Sequence, residues 1–274
     1  MNLQQLLVPL AEIAHKAGAA ILDVYERADH GIERKQDNSP LTAADMAAHH
    51  IIIDALHALT PELPVLSEES IPVPWAIRQQ WSRYWLIDPL DGTKEFIKRN
   101  GEFTVNIALI DKGVPVLGVV YVPVLDVLYA GLQGEGAWKD VAGRRTRINA
   151  AKIVAGQKQL RIVASSNHHG VLLDAWLARV AAVFSELELV SMGSSLKICL
   201  VAEGSADIYP RFAPTAEWDT AAAHAVLLAA GGKLMDDNFT EYHYNQKDDM
   251  LNPFFYTVGD TEFDFSIFRK AADG

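Results

Sequence analysis

Apolar residues at the spacing of one helix face open the chain. Leucine, isoleucine and alanine recur at intervals of three and four through the first 21 residues, which places them on one side of a long amphipathic helix. The polar segment 29–39 has no such period and predicts a loop. Thr42 then heads the sequence Thr-Ala-Ala-Asp, with Asp45 in the first turn of a helix, as in a capping box. A second helix is therefore predicted from Thr42 to about Leu59.

The middle of the chain carries the short apolar runs that are typical of β-strands. Five runs share this pattern: residues 64–67, 84–87, 104–110, 114–121 and 127–130. The first two of these runs are each followed by acidic residues. The sequence Asp111-Lys112-Gly113 separates the third and fourth runs, as in a hairpin. The glycine-rich segment 131–136 is predicted to be a loop.

Strands and helices alternate after about residue 150. The predicted strands are 161–164, 187–190 and 206–209. The predicted helices are 172–184, 195–202 and 221–230, the last closed by a glycine pair. This order predicts an α/β fold class, with an α+β lobe over residues 1–150 followed by an α/β lobe over residues 151–274. Because no repeat or low-complexity linker separates the lobes, they are expected to form one compact unit.

Composition narrows the functional classes. The 274 residues are 50% hydrophobic and 22% charged, with a formal net charge of −11. An acidic surface repels nucleic-acid polymers and anionic lipid, but cations bound to carboxylates still attract small anionic substrates. The single cysteine, Cys199, excludes an intrachain disulfide and is expected to be buried. The sequence has no recognisable signal peptide and no apolar run of about 18 residues, which favours a cytoplasmic location.

The most informative segment is D-P-L-D-G-T at residues 88–93, directly after a predicted strand. Pro89 suits the second position of a tight turn, because its φ angle is preset. Such a turn brings the side chains of Asp88 and Asp91 to one side and exposes the Leu90 carbonyl beside them. Three converging oxygens are the ligands that a hard cation such as Mg²⁺ requires.

The residues that follow are suited to phosphate. Gly92 permits a close approach of the backbone, and Thr93 with Lys94 can open a short helix whose N–H groups face an anion. Spacing excludes an EF-hand loop, because Leu90 and Arg99 occupy its ligand positions. A haloacid-dehalogenase phosphatase is excluded as well, because it uses D-x-D. From this motif alone, a plain acidic surface turn stays an alternative.

Two further acidic elements flank the motif. Glu68 and Glu69 end the preceding strand, where an exposed pair is ordinarily part of a solvated loop. Far downstream, Glu217-Trp218-Asp219 precedes the alanine-rich helix predicted at 221–230. Asp219 alone suits the N-cap of that helix, and a carboxylate at that point can also bind a metal.

In combination, these pieces resemble the lithium-sensitive phosphatases of the inositol monophosphatase superfamily. The match consists of the E-E pair at 68–69, D-P-[IL]-D-G-T twenty residues on, and W-D-x-A at 218–221. The K-E-F sequence at 94–96 and the segment 35–45 look like the bacterial 3′(2′),5′-bisphosphate nucleotidase branch, of the sulfite-synthesis type. The resemblance implies a layered α-β-α-β-α fold. It also implies hydrolysis of 3′-phosphoadenosine 5′-phosphate to AMP and phosphate.

The resemblance further implies a metal centre of two or three Mg²⁺ ions. Glu68, Asp88 and the Leu90 carbonyl would hold one ion. Asp88, Asp91 and Asp219 would hold a second, with Asp88 bridging the two.

Catalytic roles follow from the same resemblance. Asp45 and Thr93 would align and deprotonate the attacking water, with Glu68 assisting. Because a threonine hydroxyl is too weak a base by itself, it needs one of these carboxylates as a partner. The residues expected to contact substrate in this region are Glu68, Leu90, Asp91, Gly92, Thr93 and Asp219.

A bisphosphorylated nucleotide needs a second anion site. Gly193, Ser194 and Lys197 lie at the start of the predicted helix 195–202, where serine hydroxyls, N–H groups and a lysine can bind the 5′-phosphate. His168, in a polar loop after a strand, is a candidate for contact with the nucleotide. Arg211 is a further candidate.

Two other functions stay open at this point. One is an inositol or sugar-phosphate monophosphatase with the same metals. The other is a non-catalytic protein that binds Mg²⁺ or an anion in a regulatory role. The sequence also leaves open a monomer or homodimer, and a peripheral association with the cytoplasmic face of the inner membrane.

Overall fold

The computed structural model describes residues 2–27, 31, 33–34, 40–164 and 170–269. Within these residues it has seven α-helices: α1 (Leu7–Tyr25), α2 (Ala43–Leu59), α3 (Trp75–Arg78), α4 (Thr93–Ile97), α5 (Val171–Val180), α6 (Leu196–Ala202) and α7 (Glu217–Ala229). Short 3₁₀ helices lie at Leu3–Leu6, Pro123–Leu125 and Phe265–Phe268. None of the helices in the described part of the chain is long and apolar enough to cross a membrane.

Fourteen strands are described. They are β1 (Glu33–Arg34), β2 (Pro40–Leu41), β3 (Val65–Ser67), β4 (Arg83–Asp91), β5 (Thr104–Asp111), β6 (Val114–Val122), β7 (Val127–Leu132), β8 (Gly136–Val141), β9 (Arg144–Ile148), β10 (Gln159–Ala164), β11 (Glu186–Ser191), β12 (Ile208–Arg211), β13 (Lys233–Asp236) and β14 (Phe255–Val258). β1 and β2 form a two-stranded antiparallel pair.

Seven strands form the larger sheet, in the order β3-β4-β5-β6-β7-β8-β9. β3 and β4 are parallel, and the remaining pairs are antiparallel. Because side chains alternate along a strand, Trp85 and Ile87 of β4 face the outer helices α1 and α2. Tyr84 and Leu86 face the interior of the molecule. Both faces of the sheet are therefore covered at β4.

Helices α6 and α7 form the middle layer, and two glycines allow α7 to lie close to the sheet. Gly118 on β6 and Gly131 on β7 are cross-strand partners. A Cβ atom at Gly118 would lie 2.3 Å from the Ala222 carbonyl oxygen, and one at Gly131 would lie 2.5 Å from Val226 Cα. The absence of a side chain at both positions therefore sets the distance between α7 and the sheet.

The smaller sheet has five strands in the order β11-β10-β12-β14-β13. One face packs on the middle helical layer, and the other is covered by α5 and the last 3₁₀ helix around Trp176 and Phe268. The layers are thus α1/α2, larger sheet, α6/α7, smaller sheet and α5. This order confirms the predicted α-β-α-β-α architecture. The larger sheet ends at residue 148 and the smaller begins at 159, while α7 packs across that division.

Several local predictions are confirmed. Thr42 caps α2: its hydroxyl accepts from the Ala44 N–H, and the Asp45 carboxylate accepts from the Thr42 N–H at 2.8 Å. The strands and the hairpin around Lys112 lie where the sequence placed them. Cys199 is buried and free. Most of the predicted loop at 29–39 lies outside the described residues.

Other local predictions are wrong. The glycine-rich segment 131–136 is not one loop, because Gly131 and Leu132 belong to β7 and Gly136 begins β8. β9 reads R-R-T-R-I, and four of its five residues are exposed. A strand at a sheet edge that is exposed on both faces over most of its length lacks the apolar run on which the prediction depended. β13, β14 and α3 were not predicted either.

Candidate active site

The candidate active site lies where several element ends meet between the two sheets. The end of β3, the end of β4 and the N-termini of α4, α6 and α7 surround a cavity of about 320 Å³. Glu68, Asp88, Asp91 and Asp219 all line it. These four carboxylates, from three segments distant in sequence, are therefore brought into one cavity, which Glu95 lines as well.

Three of these carboxylates converge closely. One ligand oxygen each from Glu68, Asp88 and Asp219 lies within 4.8 Å of the others. Asp88 is buried, with 1% of its surface exposed, whereas Glu68 and Asp219 are half-buried. This spacing and this donor set suit a hard divalent cation. The family resemblance implied all three residues as metal ligands.

The segment between Asp88 and Asp91 differs from the expected tight turn. β4 runs through it, with Asp88 opposite Asn106 and Asp91 opposite Thr104 on β5. Two residues therefore lie between the aspartates where the partner strand has one, and the register shifts. A bulge of this kind bends a strand and re-aims its side chains. The Asp88 carboxylate also accepts from the Leu90 N–H at 3.0 Å.

Asp219 is not the N-cap of its helix. α7 begins at Glu217, with Ala216 at the N-cap position, so Asp219 is the third helical residue. Its carboxylate accepts from the Ala216 N–H at 2.9 Å. The helix starts earlier than predicted because an acidic side chain at this third position can satisfy the N-cap N–H.

Thr93 lies beside Asp45, as the resemblance implies. Its hydroxyl is 3.4 Å from Asp45 Oδ1 and 3.5 Å from the Leu90 carbonyl oxygen. The other Asp45 oxygen accepts from the Thr42 hydroxyl at 2.6 Å. Gly92 precedes α4 with a φ of 95°, the left-handed conformation that favours glycine.

Asp91 has a different environment from the other carboxylates. Both hydrogen bonds recorded for it fall on Oδ2, from the Ser195 N–H and the Ser195 hydroxyl, each at 2.5 Å. Asp91 lines the same cavity but is not part of the three-carboxylate cluster.

The electrostatics of the cluster favour a bound cation. Burial raises the pKa of Asp88 well above its usual range, and the charges of Glu68, Asp91 and Asp219 raise it further. Burial likewise raises the pKa of Asp219 well above its usual range, with Asp91 and Glu68 adding to the effect. The negative charges therefore destabilise one another, and a divalent cation relieves this repulsion.

The predicted second anion site is only partly assembled. Lys197 and Ser194 line the cavity, and so does Arg211. Gly193 is buried against Glu102 and is not among the described residues that line the cavity. His168 lies outside the described residues, so its predicted contact stays a prediction.

The helix N-terminus at Ser195 is not free for phosphate. Its N–H and hydroxyl both bind Asp91, so these two groups are not available to a phosphate. The contacts of Ser194 and Lys197 with the 5′-phosphate stay predictions. Sequence reasoning missed this role of Ser195, because a serine before a helix is ordinarily a cap. It also missed Tyr209 and Thr215, which line the cavity. No local motif marks these residues.

Lys197 is nearly buried, with 8% of its surface exposed. Its ammonium group lies 3.4 Å from the Met192 carbonyl oxygen and 5.8 Å from the centre of the Tyr209 ring. Burial lowers the pKa of Lys197 to about 8, and the nearby charge of Asp91 opposes this shift. The ammonium is therefore mostly charged at neutral pH.

An inositol monophosphatase family pattern matches residues 2–254. The 3′(2′),5′-bisphosphate nucleotidases CysQ of Salmonella typhimurium and Escherichia coli are each 51% identical over 251 residues, which is 91% of this chain and 98% of theirs. The corresponding protein of Haemophilus influenzae is 37% identical over 268 residues, 97% of both chains.

Solved structures agree with these sequence matches. The crystal structure of CysQ from Bacteroides thetaiotaomicron, a bacterial member of the inositol monophosphatase family, superposes with a TM-score of 0.84 at 43% identity. The superposition covers 95% of this chain and 99% of the CysQ chain. The suhB protein of Bartonella henselae superposes with a TM-score of 0.76 at 25% identity, over 97% of both chains. The chain belongs to the inositol monophosphatase family.

Proposed function

We propose that this chain is a Mg²⁺-dependent 3′(2′),5′-bisphosphate nucleotidase, which hydrolyses the 3′-phosphate of 3′-phosphoadenosine 5′-phosphate to give AMP and phosphate. The observation that carries the proposal is the convergence of Glu68, Asp88 and Asp219 within 4.8 Å at one wall of a cavity. The 51% identity to proteins named as nucleotidases of this class supports the choice of substrate.

The carboxylates would hold two or three Mg²⁺ ions. We assign Glu68, Asp88 and the Leu90 carbonyl to one ion, and Asp88, Asp91 and Asp219 to a second. When bound, such ions neutralise phosphoryl oxygens and lower the pKa of the attacking water. The raised pKa values of Asp88 and Asp219 support this assignment, because the cluster gains most from a cation.

Thr93 and Asp45 would orient the water that attacks phosphorus. The Thr93 hydroxyl lies 3.4 Å from Asp45 Oδ1, so it can pass a proton to that carboxylate while it accepts one from the water. The Thr42 hydroxyl and N–H hold the second Asp45 oxygen, which fixes the direction of the first. Glu68, at the cavity wall, is the assisting carboxylate.

The leaving group and the rest of the nucleotide would occupy the remaining cavity. Lys197 and Arg211 are the two basic side chains that the second lobe contributes to the cavity lining, and we assign them to the 5′-phosphate. The Arg211 guanidinium is oriented by the carbonyl oxygens of Ala213 and Pro214, each at 3.0 Å. A guanidinium held in this way is suited to a phosphate.

A second cavity of about 270 Å³ adjoins the first and suits the base. It shares Tyr209 and Arg211 with the acidic cavity, and its other lining residues are mainly apolar, including Leu172 and Phe212. A flat aromatic base is stabilised by such surroundings. An inositol phosphate has no group that would use this cavity, which favours the nucleotide as substrate.

A paired substrate assay tests the proposal. Phosphate release from 3′-phosphoadenosine 5′-phosphate and from inositol 1-phosphate is measured side by side, with Mg²⁺ and with a chelator. We expect faster, Mg²⁺-dependent release from the nucleotide and inhibition by lithium. Faster release from inositol 1-phosphate would favour the monophosphatase alternative. Cation binding without turnover of either substrate would favour the regulatory alternative.

The assembly and location of the protein stay predictions. We expect a monomer or homodimer in the cytoplasm, with a peripheral contact to the inner membrane as the open alternative. Size-exclusion chromatography distinguishes the two assemblies, and co-sedimentation with anionic liposomes tests the membrane contact.

A further inference from the structure

We infer that Ser195 is a positioning residue for the cation site, because its N–H and hydroxyl fix the Asp91 carboxylate beside the first turn of α7. This inference rests on the proposed metal site but not on the identity of the nucleotide. Its starting point is the set of contacts made by one buried side chain, of which 3% is exposed.

Ser195 contacts two of the proposed metal ligands at once. Its N–H and its hydroxyl each lie 2.5 Å from Asp91 Oδ2. The same hydroxyl lies 2.7 Å from the main-chain carbonyl oxygen of Asp219. Asp91 belongs to the larger sheet and Asp219 to α7, so Ser195 lies between the two elements that carry ligands for the same proposed ion.

Asn106 fixes the orientation of the Ser195 hydroxyl. Its side-chain amide donates to Ser195 Oγ at 2.7 Å, and its carbonyl oxygen accepts from the Thr104 hydroxyl at 3.1 Å. Thr104 and Asn106 are fully buried. In the strand register they lie opposite Asp91 and Asp88, respectively. The chain of hydrogen bonds therefore starts on the strand beside the two aspartates and ends on one of them.

The hydroxyl has one hydrogen, and two acceptors compete for it. Since Asn106 occupies a lone pair of the Ser195 oxygen, the hydrogen must point toward either Asp91 Oδ2 or the Asp219 carbonyl. The charged carboxylate is the stronger acceptor. With the N–H as a second donor on Oδ2, rotation of the Asp91 carboxylate is restrained, and Oδ1 is the oxygen that would be available to a cation.

Removal of the hydroxyl has a specific consequence. In Ser195→Ala, Asp91 keeps only the main-chain N–H, and the buried Asn106 amide loses its partner. The Asp91 side chain then has more freedom to rotate, and the free energy of cation binding becomes less favourable because that side chain must be ordered. Groups that orient metal ligands typically contribute about 10–100-fold to metal affinity.

The test uses Mn²⁺ as a probe in the full chain without substrate, with free Mn²⁺ followed by electron paramagnetic resonance. We expect Ser195→Ala to bind Mn²⁺ about tenfold more weakly than the wild type. Ser195→Thr, which keeps the hydroxyl, should restore most of the affinity. Ser205→Ala is the matched control, because Ser205 is exposed near the far end of the same helix and bonds only Glu203 among its recorded side-chain partners.

A second readout separates positioning from folding. At saturating Mg²⁺ we expect turnover by Ser195→Ala to recover to within about threefold of wild type, because the ligands themselves are intact. Asn106→Ala should shift Mn²⁺ affinity in the same direction. Thermal unfolding shows whether Ser195→Ala is folded. If the folded variant binds Mn²⁺ as tightly as the wild type, this inference is overturned but the proposed metal site is not. A wild type that binds no Mn²⁺ would overturn the proposed metal site and this inference together.

Discussion

Asp91 combines a predicted ligand role with an unusual set of hydrogen bonds. Replacement by asparagine keeps an oxygen that can accept from Ser195 but removes one negative charge from the crowded cavity. We expect Asp91→Asn to fold and to lose at least about 100-fold in turnover, equivalent to roughly 3 kcal/mol of transition-state stabilisation. Phosphate release and thermal unfolding measured together check this expectation. A folded variant with wild-type turnover would refute the ligand assignment.

Lys197 provides a test of the second phosphate. In Lys197→Met we expect the KM for the bisphosphate to rise about tenfold, because a hydrogen bond to a charged group is lost. The KM for 3′-AMP, which lacks the 5′-phosphate, should change little. Burial lowers the pKa of Lys197 to about 8, so the wild-type ammonium loses its charge as pH rises through that value. The wild-type KM for the bisphosphate should therefore rise above about pH 8.

The control for this prediction is the ratio of the two KM values. In Lys197→Met the KM for the bisphosphate divided by the KM for 3′-AMP should no longer depend on pH in the alkaline range, because the titrating ammonium is absent. If both KM values rose equally, Lys197 would maintain the shape of the cavity and would not bind the 5′-phosphate.

The residues of the site differ in how far the sequence could predict them. Asp88 and Asp91 follow from one local motif beside a strand, although the local geometry is a bulge and not a turn. Asp219 was predictable only from the order of several motifs, since read alone it suggests a helix cap. Ser195 bonds Asp91 across 104 residues. No spacing rule covers such a contact, because it depends on how the two sheets pack.

At the scale of elements, the glycine pair beneath α7 sets the position of the helix that carries Asp219. In Gly118→Ala the new methyl group would lie 2.3 Å from the Ala222 carbonyl oxygen, so α7 must move away from the sheet. We expect a loss of about 1–3 kcal/mol of unfolding free energy from overpacking. Mn²⁺ affinity should fall as well, because Asp219 moves with the helix. Chemical denaturation and Mn²⁺ titration measure the two effects.

Gly134→Ala is the control for this change. Gly134 has a φ of 82°, so alanine there is strained, but beyond the two neighbouring residues no atom of the described chain lies within 4 Å of the new methyl group. It should lower stability without a change in cation affinity. If Gly118→Ala left cation affinity unchanged, the position of α7 would not control the metal site.

Elements with one clear period were predictable, and elements without one were not. α1 and α2 have a continuous apolar face against the larger sheet, and their sequences show it. β8 and β9 are the edge hairpin of that sheet, where Arg144 and Arg145 face solvent. The apolar pattern is weak in such strands because half or more of each strand is not buried. The resemblance therefore supplied the layer order that periodicity alone did not.

At the scale of the whole molecule, the carboxylate cluster couples stability to pH and to cations. The pKa values of Asp88 and Asp219 are raised in the folded chain. Without a cation, the folded state therefore binds more protons than the unfolded state. Its stability falls as pH rises from about 4 through the raised values. A bound cation cancels this loss.

We therefore expect Mg²⁺ to raise the unfolding temperature more at about pH 8 than at about pH 5. Differential scanning calorimetry with Mg²⁺ or with a chelator measures the difference. Other groups also titrate between these pH values and change the unfolding temperature itself. The quantity to compare is therefore the rise in unfolding temperature that Mg²⁺ causes at each pH. In Asp88→Asn both shifts should shrink. Equal Mg²⁺ shifts in the wild type at the two pH values would contradict the coupling.

The cavity draws its ligands from the end of β3, the bulge of β4 and the start of α7, which are separated by up to 151 residues from Glu68 to Asp219. Neither sheet alone contains the complete set. During refolding, the larger sheet can therefore acquire its hydrogen bonds and bury Trp85 against the outer helices before α7 brings Asp219 to the site. Recovery of catalytic activity consequently reports the docking of α7 as the last step, and it should lag behind the recovery of tryptophan fluorescence.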